Sequence, residues 1–168
     1  MRALLLRHGL AEERAGWAAR GRGDAERPLT DEGRRRMKRI AAALARLEPE
    51  LALVATSPAT RARESAEILL AALPREVVLV DQGELAPASR PGAALKLLQA
   101  QRQLPALALV GHEPGLSRLA GLLLAGEERS LLELKKGGAA LVDFPGRVAA
   151  GAGVLLWHLT PAQLRKLD

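Results

Sequence analysis

Leu107-Ala108-Leu109-Val110-Gly111-His112 and Leu4-Leu5-Leu6-Arg7-His8-Gly9 are the two stretches that decide the fold. Each is an apolar run without the polar alternation of a half-exposed strand, the pattern of a parallel strand covered on both faces. Strands are predicted at 2–7, 51–56, 77–80, 106–111, 138–144 and 153–159, separated for most of the chain by longer segments of helical periodicity. That alternation predicts a three-layer α/β/α domain with a mostly parallel central sheet of about six strands. The expected order is β-loop-α-β-α-β-α-β-α-β-β.

The helices follow from their caps and stripes. Thr30 is a good N-cap, Asp31 and Glu32 complement the dipole, and Met37, Ile40, Ala41, Leu44 and Leu47 form one apolar stripe. Ser57 reads as the cap of a second helix, with Pro58 at its first position and Ala62, Ala66, Leu69, Leu70 and Leu73 inward. A third helix is expected over 92–102, and a fourth after Pro114 with Leu116, Leu119, Ala120 and Leu123 inward. Segment 10–28, with Trp17 and Arg20-Gly21-Arg22-Gly23-Asp24, reads as a mobile loop, and loops this long in small domains are more often functional than idle. The Arg22-Gly23-Asp24 tripeptide inside it reads as chance.

The 168 residues suit a single domain spanning 1–168, and 48% hydrophobic with 26% charged residues is the composition of a folded globule. The lack of cysteine excludes disulfides, thiolate metal sites and a cysteine nucleophile. Of the 25 basic residues 20 are arginine, and the net charge is +6, which favours planar, bidentate binding of phosphate or carboxylate. Trp17, Phe144 and Trp157 are too few aromatics for the stacking platforms of single-stranded nucleic acid, so no nucleic-acid partner is expected. No apolar run reaches the ~18 residues of a membrane span, and the N-terminal one is too short for a signal peptide. A cytoplasmic protein with no membrane partner is the expectation.

In open α/β sheets, ligands bind beyond the carboxyl ends of the strands. His8 and His112 each end an apolar strand and can converge on one crevice, although either taken alone reads equally well as a hydrogen-bonded structural histidine. Arg61 and Arg63 fall in the first turn of a helix, where the dipole disfavours a cation by roughly 0.3 kcal/mol or more. A phosphate at that helix start would resolve the conflict by accepting the Arg61 fork; the alternative is a solvated arginine, with more weight for Arg63. Together Arg7, His8, Arg61 and His112 would make a cationic pocket with an imidazole nucleophile, suited to phosphoryl transfer without a metal. His112-Glu113 lacks the second histidine of a helical zinc motif and His158 stands alone, so neither metal nor cofactor is expected. There is no Gly-rich P-loop and no Gly-x-Ser-x-Gly elbow.

Four ordered blocks carry a family resemblance: Arg7-His8-Gly9, Arg27-Pro28-Leu29-Thr30-Asp31-Glu32-Gly33, Ser57-Pro58 with Arg61-Ala62, and Gly111-His112-Glu113-Pro114-Gly115. In these the chain resembles the histidine phosphatase, or phosphoglycerate-mutase-like, superfamily over nearly its whole length. The resemblance implies that His8 is the nucleophile that becomes phosphorylated, while Arg7, Arg61 and His112 bind the phosphoryl oxygens. Gly9 and Ser57, in the same motifs, complete the implied substrate-binding set.

Compact length, Glu84-Leu85-Ala86-Pro87 and Lys135-Lys136-Gly137-Gly138 look most like the small SixA-type phosphohistidine phosphatases. Many relatives carry a lid and a carboxylic acid between the second arginine and the second histidine; here only 62–111 fill that interval. An open site implies phosphohistidine on a partner protein as substrate, with a small phosphate ester as the second reading and a non-catalytic, basic phosphate-binding module as the third. Glu84 is the expected general acid, against the alternative of a surface carboxylate before a turn. Glu12 and Glu13 are the fallback. Leu10 stands where small-branch relatives often carry a polar residue.

Overall fold

Successive residues of a strand point to opposite faces, and here the two faces meet different helices. Leu4, Leu6, Val54, Ala108 and Val110 pack on one side with Met37, Ile40, Leu44, Ala62, Ala66 and Leu69. Ala3, Leu5, Ala55, Leu107 and Leu109 pack on the other with Leu98, Leu116, Leu119 and Leu123. A computed structural model describes residues 1–167 of this three-layer α/β/α arrangement; Asp168, the last residue of the expected domain, lies outside them.

The strands are β1 (Arg2–Arg7), β2 (Leu51–Thr56), β3 (Val78–Asp81), β4 (Ala106–Gly111), β5 (Ala139–Asp143) and β6 (Val154–Leu159). They form one sheet in the order β3-β2-β4-β1-β5-β6. The first four run parallel; β5 pairs antiparallel with β1, and β6 pairs antiparallel with β5 and so runs in the direction of the first four. The six predicted segments coincide with these to within a residue. β4 is buried at every position, as its unbroken apolar run requires.

The helices are α1 (Arg14–Ala18), α2 (Asp31–Leu47), α3 (Thr60–Ala72), α4 (Pro91–Ala100), α5 (Gly115–Ala125) and α6 (Pro161–Leu164). Thr30 caps α2, accepting from the Gly33 N–H at 2.9 Å. Leu47 ends the α2 stripe 38% exposed, where the helix runs out beyond the sheet. Leu70 and Leu73, expected inward, are only half-buried at the margin of the core. No helix among the described residues is long and apolar enough to cross a membrane.

Two expectations need correction. Ser57 does not cap α3, which starts three residues later with Ala59 as N-cap; the Ser57 hydroxyl is buried and bonded elsewhere. Segment 10–28 is not a bare loop. Glu13 caps α1 by accepting from Ala15 and Gly16 N–H at 3.0 and 2.7 Å, and Asp24–Glu26 form a 3-10 turn. Trp17 is buried, donates from Nε1 to Gly23 O at 3.0 Å, and lies under the Arg20 and Arg22 guanidinium groups.

Candidate active site

β1 and β4 pair in parallel with Arg7 opposite Gly111, so the next residue of each strand, His8 and His112, emerges side by side. The His8 N–H donates to Gly111 O at 3.1 Å, and the two imidazole centroids are 4.9 Å apart. The chain then leaves β1 toward the α2 face and β4 toward the α5 face, which opens a crevice between them at the carboxyl edge. On the far side of β4, the Ser57 N–H donates to Val110 O at 2.9 Å, holding the start of the 57–61 segment against the same edge.

Four of the predicted residues line one cavity of about 630 Å³: Arg7, His8, Arg61 and His112. His8 Nδ1 lies 2.7 Å from Gly9 O. A carbonyl oxygen only accepts, so Nδ1 carries the proton and Nε2 the lone pair. Burial, then the facing His112, then Arg61 and Arg7, push the His8 pKa down to about 3, against the opposing pull of the Gly9 bond. His112 is lowered to about 4, first by burial and then by Arg61, with Asp24 opposing. Both rings are neutral at neutral pH.

Ser57 bonds His112 Nε2 at 2.9 Å through a hydroxyl whose oxygen also accepts from the Ala59 N–H. It thus orients the ring. Gly9 has two constraints: its N–H donates to Ser65 Oγ at 3.0 Å, and a Cβ there would stand 2.5 Å from Met37 Cγ. Gly33 is tighter still, since its Cβ would fall 2.0 Å from Leu10 O. These close approaches account for the glycines of the first two motifs by packing.

Arg7 donates from one terminal nitrogen to Leu134 O at 2.7 Å, and Arg61 donates from its two terminal nitrogens to Asp24 O at 2.7 Å and Asp24 Oδ2 at 3.0 Å. In both side chains Nε is buried without a hydrogen-bond partner. A buried donor left unmade costs about 1–3 kcal/mol, so both guanidinium groups are held in place at a cost to the fold. Arg63, by contrast, lies on the surface paired with Glu67 at 3.1 Å and with Asp81.

Glu84 is not brought to this cavity. It sits exposed in a 3-10 turn (Gly83–Leu85) and lines a small adjoining pocket that His112 also borders. The carboxylates that do line the main cavity are Glu12, Glu13 and Glu113. Glu13 is occupied by the α1 cap, and Glu113 accepts from Ser117 Oγ, Ser117 N and Leu134 N. Glu12 is the one whose carboxylate is not spent on such bonds.

Sequence reasoning missed Asp24, Arg27, Ser65 and Lys136. Arg27 is buried, lines the cavity, and donates to Asp24 Oδ1 at 3.0 Å and Glu12 O at 2.7 Å; its place in the second motif was the available signal. The Lys136 ammonium also lines the cavity, its pKa lowered by burial and then by Arg7, Arg27 and Arg61.

Comparison with known proteins agrees with this geometry. A family model for the histidine phosphatase superfamily (branch 1) matches residues 3–82. An uncharacterized protein of Picosynechococcus sp. (strain ATCC 27264 / PCC 7002 / PR-6) is 40% identical over 140 residues, 82% of each chain. The structure of the protein histidine phosphatase SixA complexed with tungstate superposes with a TM-score of 0.83 at 25% identity, covering 98% of this chain and 99% of that one. The alpha-ribazole phosphatase of Shigella flexneri shares the fold, with a TM-score of 0.71 at 19% identity over 92% of this chain and 96% of its own. With the four motifs gathered at one sheet edge and the sequence matches in agreement, the chain belongs to the histidine phosphatase superfamily and has the fold of its SixA-type members.

Proposed function

We propose that this protein is a metal-independent phosphatase that removes the phosphoryl group from phosphohistidine on a partner protein, through a phosphorylated His8. The observation that carries the chemistry is the His8 Nδ1 bond to Gly9 O at 2.7 Å, which leaves Nε2 as an unprotonated nucleophile at neutral pH. In the first step Nε2 attacks phosphorus and forms an N–P bond as the substrate's own N–P bond breaks. The departing imidazole leaves with a proton taken from solvent. In the second step water attacks, the His8 N–P bond breaks, His8 recovers its electron pair, and phosphate departs with the proton balance left to solvent.

Arg7 and Arg61 hold the equatorial oxygens, and neutral His112, fixed by Ser57, is placed to contribute one further hydrogen bond. The tungstate held by the SixA structure is an oxyanion of the kind such a site receives. The choice of a protein-borne substrate rests on enclosure. Of residues 62–111, Pro87 alone lines the main cavity, with Glu84 in the pocket beside it, so the interval adds little enclosure. Phosphohistidine tolerates this, because its leaving group departs easily once protonated.

The competing reading is a small phosphate ester, which the fold shared with alpha-ribazole phosphatase favours. Initial rates on a phosphohistidine peptide and on a panel of small phosphate esters decide between them. The expected result is the highest kcat/KM on the peptide, and a strong preference for one small ester would reverse the assignment.

A further inference from the structure

Arg61 reaches the cavity with one edge of its guanidinium already committed. Its two terminal nitrogens, the end-on fork, are taken by Asp24 O and Oδ2 at 2.7 and 3.0 Å. Its Nε is buried and unpartnered, while Asp24 itself is not part of the cavity lining. The same carboxylate accepts from Arg27 Nε at 3.0 Å and Arg14 Nε at 3.1 Å, and both of those arginines line the cavity. Burial works against ionisation of Asp24, yet Arg61, Arg27 and Arg14 outweigh it and keep the carboxyl below its ordinary range.

Held in this way, Arg61 keeps one hydrogen on each terminal nitrogen to offer a phosphoryl group, in directions fixed by the two bonds to Asp24. Arg7, at the end of β1, is held more loosely, with one terminal nitrogen on Leu134 O. A guanidinium without a partner at its end-on fork is free to rotate about the long side chain and to approach an anion from several directions. Fixing that edge in advance removes the rotational cost of binding and sets the direction of the oxygens.

We propose that Asp24 is a positioning residue of the phosphate site: by taking the end-on fork of Arg61, it fixes the guanidinium at the cavity wall and couples the 10–28 segment to the chemistry. The assignment rests on one part of the phosphatase reading, that the cavity is a phosphate site. It competes with a simpler role, in which the Asp24 carboxylate is a resident anion that phosphate must overcome. The two differ in sign. Removing a negative charge raises the local positive potential, so a competitor's removal tightens phosphate binding, whereas a positioning residue's removal weakens it.

The test is calorimetric binding of inorganic phosphate at fixed pH and ionic strength to wild type, Asp24→Asn, Arg61→Ala and the double variant. Asp24→Asn keeps the shape of the side chain and is expected to weaken binding by about 10-fold, the scale on which a supporting residue acts through its ligand-binding neighbour. In the Arg61→Ala background, Asp24→Asn is expected to have no further effect, because the group it orients is gone; a general loss of fold would weaken both backgrounds. Unchanged or tighter binding in Asp24→Asn, equal losses in the two backgrounds, or no phosphate binding by wild type would each overturn the assignment. Wild type that binds phosphate but never forms phospho-His8 would strike the phosphatase reading and leave the Asp24 assignment standing.

Discussion

The two ends of the central sheet both bury charge, but they do so differently. At the amino end, Glu48 is fully buried and faces Arg2 at 3.0 Å, Arg2 also pairs with Glu50, and the Met1 ammonium stands 3.8 Å from Asp143. Positive and negative groups there stand against each other, and neither oxygen of the buried Glu48 carboxylate is hydrogen-bonded. At the carboxyl end, Arg7, Arg61 and Lys136 gather around two neutral imidazoles, and two guanidinium Nε–H groups are buried without acceptors. Unpaired buried polar atoms thus occur at both ends, and what sets the carboxyl end apart is an open cavity whose cations, Arg7, Arg61 and Lys136, surround two neutral imidazoles.

The contrast is most open to attack at Arg61. Arg61→Ala is expected to lower kcat/KM by about 10²–10³-fold, the usual loss for one transition-state donor. Arg63→Ala, two residues along and paired on the surface with Glu67 and Asp81, should change it by less than about 2-fold. Similar losses in the two variants, read from steady-state kinetics, would mean that burial does not separate their roles.

The histidines sharpen the comparison through pH. Their folded-state pKa values, about 3 for His8 and about 4 for His112, lie below the ordinary 6.5, so below that value the unfolded chain binds protons that the native chain refuses. Their contribution is fully present above about pH 6.5 and is lost as pH falls toward 4 and then 3. Urea unfolding at pH 5 should therefore show about 1–2 kcal/mol less stability per histidine than at pH 7, and a variant with both replaced by Asn should lose this difference. Ring chemical shifts that titrate near 6.5 would contradict the burial argument.

At the amino end the effect should fall on stability alone. Arg2→Ala leaves Glu48, whose carboxyl burial raises and Arg2 lowers, without its buried partner. A loss of about 1–2 kcal/mol in unfolding free energy is expected, below the full cost of a broken buried pair because Arg2 is partly exposed. Activity should stay within about 2-fold of wild type on the same scale as other surface changes. Glu84→Gln should be the mildest change, within about 2-fold in kcat/KM, since its carboxylate is outside the main cavity.

The sheet was legible because buried parallel strands write themselves as unbroken apolar runs, and the register of β1 on β4 then set His8 beside His112. Local rules failed where a side chain had a distant employer. Ser57 and Pro58 look like a helix start, but the Ser57 hydroxyl serves His112, 55 residues away, and α3 begins later. Asp24 looked like part of a chance tripeptide in a mobile loop, because its meaning depends on Arg61, 37 residues away. Glu84 was read as an acid from its position between the two motifs, and its 3-10 turn places it in the pocket beside the main cavity, which His112 also borders.

The most direct test of the central claim is a rapid acid-free denaturing quench of wild type and His8→Ala after mixing with a radiolabelled phosphate donor. Label held on wild type in an acid-labile, alkali-stable form, and absent from His8→Ala, is the predicted result. Equal labelling of both proteins, or steady turnover by His8→Ala, would contradict it.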